Sequence, residues 1–400
     1  MSEQTNQNEM IDALVRRIFS IQDITQGSAQ QGFLLRYRGR LVAQDSAQAY
    51  DQLSQWLKPY HLTPLFRVEG EQQVILLIQE LPAPREGRPM LNLLMFILTV
   101  FSVIFAGGYF NQVEPLPAQP LQAALALLKS GWTFAVSMMA ILAAHEFGHY
   151  LAGRAHRVKV TLPFFIPMPF SPLGTMGAFI NMKEPPRNKR VLMDIAVAGP
   201  IAGYVVSLVA IWIGLSLSHL ETLPLTFPQG QGLQIEGNSL TYLLMKWLYF
   251  GKLLPQPADF GGLSPLLYWV KYFFTARPFP LGGVDVMIHP VAWAGWAGLL
   301  VTSLNLIPAG QLDGGHIFHL LFGTKGSRRI YPFLLAVLAG LGFLWSGWWL
   351  WAALLFIFGR VYAEPLDQIT PLDRKRKVLG IIALIIFVLT FIPVPLSLVF

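Results

Sequence analysis

The stretch FAVSMMAILAAHEFGHYLAGR, residues 134–154, has the composition of a membrane-spanning helix and yet contains two histidines and a glutamate in its second half. An apolar run of this length is long enough to cross a bilayer as an α-helix. His145, Glu146 and His149 are energetically unfavourable in that setting, and ionisable residues in spanning segments usually have a function. We therefore expect the rest of the chain to be built around this helix.

The spacing of the three residues indicates which chemistry they support. His145 and His149 are four residues apart, so an α-helix places both imidazoles on one face, where they can bind one metal ion. Glu146 is then placed to reach a water molecule beside that metal. This HExxH pattern is typical of zinc metalloproteases, in which Glu acts as general base. Two histidines that are hydrogen-bonded inside a helical bundle are the alternative interpretation.

The composition of the whole chain indicates an integral membrane protein with several spans. Of the 400 residues, 54% are hydrophobic and only 13% are charged, against about 25% charged in soluble domains. Cysteine is absent, which excludes disulfide bonds and cysteine-based zinc sites. The net charge of +7 comes with basic residues in loops between apolar segments, which favours a lipid bilayer and not nucleic acid as the partner.

Two regions are expected from the distribution of polar residues. Residues 1–88 predict a small α+β domain, with an amphipathic helix near Glu9–Phe19 followed by a βαββ pattern that resembles a ferredoxin-like or similar two-layer module. Its role is either that of a regulatory or substrate-binding appendage or that of a stabilising cap. Residues 82–88 are rich in Pro, Gly and charge and predict a linker. Residues 89–400 predict a transmembrane domain with its core at about 130–320.

The predicted fold is an all-α polytopic membrane protein with about six to seven transmembrane helices, a membrane-embedded β-hairpin and the N-terminal α+β domain. A separate interfacial helix is expected at 121–129. The segment 162–182 is apolar but interrupted by Pro and Gly, which predicts a re-entrant hairpin beside the HExxH helix, with an ordinary juxtamembrane loop as the alternative. The seven expected spans lie near residues 90–110, 132–154, 191–217, 290–307, 330–345, 348–360 and 377–394.

The distribution of Lys and Arg between loops predicts the orientation. Basic residues concentrate before the first span, after the HExxH span, after Asp313 and before the last span. With seven spans these loops all lie on the cytosolic side, as does the N-terminus. We expect a multi-pass protein, in a prokaryotic plasma membrane, with HExxH and Asp313 at the cytosolic ends of their helices.

A third metal ligand is needed, because a catalytic zinc usually takes three protein ligands and leaves one position for water. Asp313 is the best candidate, since it follows an apolar span at the expected depth and precedes Gly314 and Gly315, which permit a close approach. The alternative is that Asp313 caps the N-terminus of the helix that follows it.

At this point the sequence resembles the site-2 proteases, a family of intramembrane zinc metallopeptidases, over about residues 130–320. The resemblance implies that His145, His149 and Asp313 bind Zn²⁺ and that Glu146 is the catalytic base. It implies that Asn305 steadies the substrate or the oxyanion, and that the hairpin near 174–182 presents a substrate strand by edge pairing. The matching motifs are His145-Glu146-Phe147-Gly148-His149, Asn305-Leu306-Ile307-Pro308 and Leu312-Asp313-Gly314-Gly315, with Gly199-Pro200 between them.

The activity implied is hydrolysis of peptide bonds within or near the transmembrane segments of membrane-protein substrates. Three alternatives are a zinc-binding membrane scaffold without hydrolytic activity, a transporter, and a different HExxH protease with Glu as third ligand. The chain has no evident PDZ domain between its two motif halves. It also lacks, after Asn305, the Asn-Pro-Asp-Gly sequence of the plant chloroplast branch of the family.

Overall fold

The computed structural model describes residues 2–82, 87–110, 115–227 and 232–399, so most of the predicted linker at 82–88 lies outside the described residues. Helices dominate, with several small antiparallel sheets. In chain order the elements are α1 Ser2–Arg16, β1 Phe19–Gln26, β2 Leu35–Leu41, α2 Ser46–Leu57, β3 Leu62–Glu69, β4 Gln72–Gln79, α3 Pro89–Phe110, α4 Pro120–Ala155, β5 Phe164–Pro167, β6 Thr175–Phe179, α5 Lys189–Ser216, β7 His219–Thr222, β8 Leu233–Glu236, α6 Leu240–Phe250, α7 Pro265–Thr275, β9 Val284–Met287, α8 Pro290–Asn305, α9 Asp313–Leu341, α10 Gly347–Phe358, α11 Arg374–Thr390 and β10 Leu396–Val399.

The N-terminal unit, α1 to β4, is an antiparallel sheet in the order β1-β2-β4-β3 with two helices. Asp45 caps α2 by accepting a hydrogen bond from the amide of Ala47. The predicted βαββ pattern missed β1. A β-bulge between Ile21 and Asp23 breaks the alternation of buried and exposed residues there, so the sequence carries no clear period of two. The predicted unit itself is present: β2, α2, β3 and β4 follow one another, and β4 pairs between β2 and β3, as in the split β-α-β arrangement of a ferredoxin-like sheet.

Three helices are long and apolar enough to cross a membrane: α3, α4 and α5. This supports a membrane protein, with fewer such helices than the six to seven expected. Helices α8, α10 and α11 have 16, 12 and 17 residues, and α9 is interrupted at Gly323, where φ is 69°. A left-handed residue of this kind ends one helical run before the next begins.

Helix α4 is continuous over 36 residues, so the separate interfacial helix expected at 121–129 is wrong. Pro120 occupies the first helical turn, where its missing amide is tolerated, and no breaker follows before His145. Gly131 lies in the middle of the helix and has a packing role: a Cβ at this position would overlap the carbonyl oxygen of Ile104 on α3.

Close helix packing around α4 positions the HExxH residues. Small residues at helix interfaces let backbones approach without a side chain between them. Gly148 on α4 faces the carbonyl of Ala198 on α5, where an added Cβ would lie 2.7 Å from the oxygen. Gly295 on α8 faces Ile211 on α5 in the same way, with an added Cβ 2.7 Å from its amide nitrogen. The large apolar core between these helices includes Phe134, Met138, Leu142, Ile211 and Trp296.

The described part of the long connection between α5 and α8 contains the helices α6 and α7. It holds a buried polar cluster that the sequence did not indicate. Lys246 is fully buried, and Tyr242 donates a hydrogen bond of 2.9 Å to Glu236. Burial raises the pKa of Glu236 to about 7. This connection is attached to the helical core through Trp296 on α8, whose indole donates a hydrogen bond to the carbonyl of Gly237 at 2.7 Å.

Replacing Gly295 by Ala tests the packing of α8 against α5. The new methyl group would press on Ile211, so we expect a loss of about 1–3 kcal/mol of stability and a lower thermal midpoint in detergent. Gly340→Ala is the matched control, because nothing lies within 4 Å of a Cβ at that helical position. Equal midpoints for the two variants would contradict the close approach of α5 and α8.

Candidate metal centre

Three ligand-type atoms converge from two helices. The Nε2 atoms of His145 and His149 on α4 lie 3.3 and 3.2 Å from Oδ2 of Asp313, which begins α9. The two Nε2 atoms are themselves 3.2 Å apart. Both imidazoles are almost completely buried, at 3% and 6% exposure. The structure therefore brings together the three residues that the sequence predicted as metal ligands.

The separations between these atoms fit a zinc ion. Tetrahedral zinc with bonds of about 2.0–2.2 Å places neighbouring ligand atoms about 3.3–3.5 Å apart. The nearly equilateral triangle of two imidazole nitrogens and one carboxylate oxygen matches one face of that tetrahedron. All three residues also line the cavity described below. Two nitrogens and one oxygen also form a donor set that zinc commonly accepts.

Hydrogen bonding orients the imidazole of His149. Its Nδ1 lies 2.7 Å from the carbonyl oxygen of Ile195 on α5, so this nitrogen donates and Nε2 presents its lone pair toward Asp313. The Nδ1 of His145 is buried and has no hydrogen-bond partner among the residues that the structure describes. The chain thus fixes the tautomer of His149 by a backbone contact from the neighbouring helix.

Two glycines on α5 provide the surface on which the imidazoles rest. A Cβ at Gly199 would overlap the ring of His149, and one at Gly203 would lie 3.1 Å from Nδ1 of His145. Any larger residue at Gly199 must therefore displace a metal-site histidine. The sequence gave no sign that these two glycines contact the imidazoles.

Asp313 does not cap its helix. Leu312 occupies the N-cap position of α9 without a side-chain hydrogen bond, and the carboxylate of Asp313 points at the histidines instead. Gly314 and Gly315 allow the start of α9 to pass against the preceding turn: a Cβ at either would overlap a carbonyl oxygen of residues 306–310. Their small size thus sets the position of the carboxylate.

Glu146 and Asn305 lie on the same cavity as the three ligands. Glu146 is 4% exposed, and the backbone of Ile180 hydrogen-bonds its carboxylate. Asn305 ends α8, with its Nδ2 atom 3.3 Å from Nε2 of His145. Both side chains are therefore close enough to the candidate metal position to contact a molecule bound there.

The cavity has a volume of about 570 Å³. One side is formed by the end of β6 and the residues that follow it. The strand β6 pairs with β5 as the predicted hairpin. Ser102 on α3 fixes the hairpin turn by donating to the carbonyl of Gly174 at 2.6 Å. The lining residues are His145, Glu146, His149, 178–186, Leu192, Ile195, Ala196, Asn305, 311–313, His316 and 361–364.

One ion-pair network near the site was missed by the sequence interpretation. The Nε2 atom of His156 lies 2.8 Å from Oδ2 of Asp194 on α5. Arg376 on α11 donates to both oxygens of that carboxylate at 2.8 and 2.6 Å. The network fastens α5 next to Ile195, whose carbonyl holds His149. An aspartate inside an apolar segment was the signal that could have found it.

His316 follows Asp313 by three residues on α9. The side chain lies on the cavity wall, and its Nδ1 is buried without a hydrogen-bond partner among the described residues.

Comparison with known proteins agrees with this geometry. Residues 133–345, slightly more than half of the chain, match the model of peptidase family M50. The chain is 32% identical over 322 residues to "Probable zinc metalloprotease EGY1, chloroplastic" of Oryza sativa subsp. japonica, a match that covers 76% of this chain and 50% of that protein. It is 31% identical over 281 residues to "Probable zinc metalloprotease EGY2, chloroplastic" of Arabidopsis thaliana, covering 68% and 44%.

A further relative, "Probable zinc metalloprotease EGY2, chloroplastic" of Oryza sativa subsp. indica, is 27% identical over 408 residues, which covers 96% of this chain and 66% of that protein. The chain spans about half the length of the first two relatives. No solved structure matches it. All three relatives are chloroplastic by name, which does not fit the expected prokaryotic plasma membrane, and the missing Asn-Pro-Asp-Gly sequence does not prevent this similarity.

Gly199→Ala tests whether α5 seats the imidazoles. The new Cβ overlaps His149, so we expect the zinc content of the purified protein to fall by about tenfold or more, as for loss of an orienting contact. Gly214→Ala on the same helix presses instead on Ala292 of α8, so it should lower the thermal midpoint but leave the zinc per folded chain unchanged. Equal zinc content in the two variants would contradict the proposed contact between Gly199 and the imidazole of His149.

Proposed function

Because the chain belongs to peptidase family M50, we propose that it is an intramembrane zinc metallopeptidase, which hydrolyses peptide bonds within or near the transmembrane segments of membrane-protein substrates. The observation that carries the proposal is the convergence of His145, His149 and Asp313 at 3.2–3.3 Å, with Glu146 on the same cavity. Three ligands plus an adjacent carboxylate is the arrangement that metal-assisted peptide hydrolysis requires.

In this proposal the two imidazole Nε2 atoms and Oδ2 of Asp313 hold the zinc ion. Zinc supplies Lewis acidity, which lowers the pKa of water to about 7 and polarises a carbonyl group. Ile195 keeps the proton of His149 on Nδ1, and so keeps Nε2 available as a ligand. Burial of both rings excludes bulk water from the ligand side of the site.

Glu146 moves the protons. Its carboxylate takes a proton from the attacking water as the new bond to the peptide carbon forms, and it later delivers that proton to the leaving amine nitrogen. Ile180 holds the carboxylate at the cavity through a backbone hydrogen bond. Because Ile180 directly follows β6, this hydrogen bond also fixes the position of the Glu146 carboxylate relative to β6.

Asn305 contacts the reacting carbonyl. Its Nδ2 atom lies 3.3 Å from Nε2 of His145, beside the candidate metal position. From there the amide can donate a hydrogen bond to the carbonyl oxygen as negative charge develops on it. This role is the second of the two that Asn305 was expected to have, substrate positioning being the first.

The substrate enters as an extended strand. A helical transmembrane segment hides its peptide bonds in intrahelical hydrogen bonds, so it must unwind before hydrolysis. Within the described residues β6 pairs with β5 alone, and its end lines the cavity through Ala178 and Phe179. The second edge of β6 can therefore replace the hydrogen bonds that the substrate loses on unwinding.

We also propose the finer topology. The N-terminal domain at 1–88 and the metal site lie on the cytosolic side, and the transmembrane domain at 89–400 has six to seven spans. The basic loops favour this orientation. The shorter helices α8 and α11 pack with α5, which supports counting them in the same bundle. Together with the bilayer, membrane-protein substrates are the partners in this proposal.

Glu146→Gln separates chemistry from metal binding. We expect cleavage of a panel of single-span membrane proteins to fall by about 10²–10⁴-fold, because proton transfer is lost, while zinc content stays unchanged. Glu221→Gln, on the exposed β7, is the matched control and should cleave like the parent. Equal processing by Glu146→Gln and the parent would instead favour a zinc-binding scaffold.

Asp313→Ala tests the identity of the third ligand. We expect the zinc content to fall by about tenfold or more, because one of three protein ligands is removed. Glu364→Gln changes another carboxylate on the cavity wall and should keep its zinc. Zinc retained by Asp313→Ala and lost by Glu364→Gln would support a protease in which Glu is the third ligand.

A further inference from the structure

The connection between α10 and α11 joins the cavity to the N-terminal unit. We call residues 361–370 the wall segment. Its first four residues, Val361 to Glu364, line the cavity that contains the metal site. The residues that follow run beside β3, the edge strand of the N-terminal sheet, and Leu366 and Ile369 pack against the apolar core of that unit. The same short segment thus belongs both to the cavity and to a part of the chain about 300 residues away.

Backbone hydrogen bonds hold the wall segment on both of its edges. On one side the amide of Phe66 in β3 donates to the carbonyl of Leu366 at 2.9 Å, and the amide of Gln368 donates to the carbonyl of Phe66 at 3.0 Å. On the other side the amides of Leu366 and Asp367 donate to the carbonyls of Pro186 and Arg187 at 3.0 and 2.8 Å. The N-terminal sheet therefore continues through the wall segment to the residues just before α5.

Arg67 of β3 fixes the segment where it leaves the cavity. Its Nη1 donates to the carbonyls of Pro365 and Leu366 at 3.0 and 2.9 Å, and also to its own neighbour Phe66. Its Nη2 lies 3.9 Å from the carboxylate of Glu364 on the cavity wall. Hydrogen bonds from a charged donor are stronger than neutral ones, so these contacts determine the path of the chain at the cavity mouth.

Asp367, the residue after Leu366, provides a second attachment of the wall segment. Its carboxylate is fully buried and accepts hydrogen bonds from Ser46 at the start of α2, at 3.1 and 3.2 Å, and from the amides of Ile369 and Thr370 at 2.7 and 3.1 Å. Burying a polar group is costly unless it is hydrogen-bonded, and these four contacts offset that cost. The pairing joins α2 of the N-terminal unit to the wall segment.

We propose that the N-terminal unit positions the mouth of the active-site cavity: through Arg67 and Asp367 it holds the wall segment at the spacing that an extended substrate needs. The proposal rests on the proposed function, because it takes the cavity to be the peptide-binding cleft. Arg67 and Asp367 are positioning residues, which act on substrate through Val361 to Glu364 and not through the metal. A unit that served only as a stabilising cap would not affect substrate binding.

The absence of cysteine from the chain allows a direct test. Phe179→Cys on β6 and Val361→Cys on the wall segment are both exposed positions on the cavity and can carry spin labels. Electron spin resonance on the full chain in lipid nanodiscs then reports the distance between the two walls. We expect one narrow distance distribution in the parent and a broader one, extending to longer distances, in Arg67→Ala.

The cleavage kinetics of Arg67→Ala are then measured in the chain without added cysteines. The substrate is the single-span membrane protein that the parent cleaves best. We expect KM to rise about tenfold with kcat changed less than about twofold, because wall contacts affect binding and not the reacting atoms. Zinc content should equal that of the parent. Arg38→Ala is the matched control: Arg38 lies on β2 of the same sheet with loose ion pairs of 3.7 Å, and its loss should change neither measurement.

Ser46→Ala is a second, milder variant, in case Arg67→Ala does not fold. It removes the hydrogen bond from Ser46 to Asp367, so the distance distribution should broaden in the same direction but less than in Arg67→Ala. An unchanged distribution in both variants overturns the proposal, and so does a broader distribution with an unchanged KM. If the parent shows no cleavage that depends on Glu146, the proposed function fails. The spin-label distances then still decide whether Arg67 holds the wall.

Discussion

The structure depends on one close approach: small residues let α4, α5 and the start of α9 come together around the two imidazoles and the carboxylate of the metal site. Gly148 and Gly199 allow α5 to lie against the HExxH face of α4, and Gly314 allows α9 to turn back tightly after α8. Two buried imidazoles and one carboxylate then meet at 3.2–3.3 Å. Polar groups so deep in an apolar bundle are retained only if something compensates their burial, and a shared metal ion does so.

Much of the site could be predicted from the sequence, because its signals are local. The spacing of His145 and His149 fixes their common helix face, and Asp313 follows an apolar run with two glycines behind it. The hairpin at 162–182 was predicted because Pro and Gly exclude a straight helix there. Each of these patterns lies within a few residues, where helix geometry and turn chemistry determine the outcome.

Other features could not be predicted, because they depend on contacts between distant parts of the chain. Nothing local to Asp367 indicates that its partner is Ser46, and nothing near His156 indicates Arg376. The strand β1 was missed because a bulge interrupts its alternation. Hydropathy alone does not determine the number of spans: α10 and the interrupted α9 are apolar, but neither is both long enough and continuous enough to qualify by itself.

The measurement that tests the account most directly is zinc X-ray absorption spectroscopy on the purified full chain. The account predicts one zinc ion per chain with two imidazole nitrogens at about 2.0–2.1 Å and a carboxylate oxygen at about 2.0–2.2 Å. The imidazole signal should disappear when His145 and His149 are both replaced by Ala. An active preparation without metal, or a zinc ion whose coordination contains no imidazole, would contradict the account.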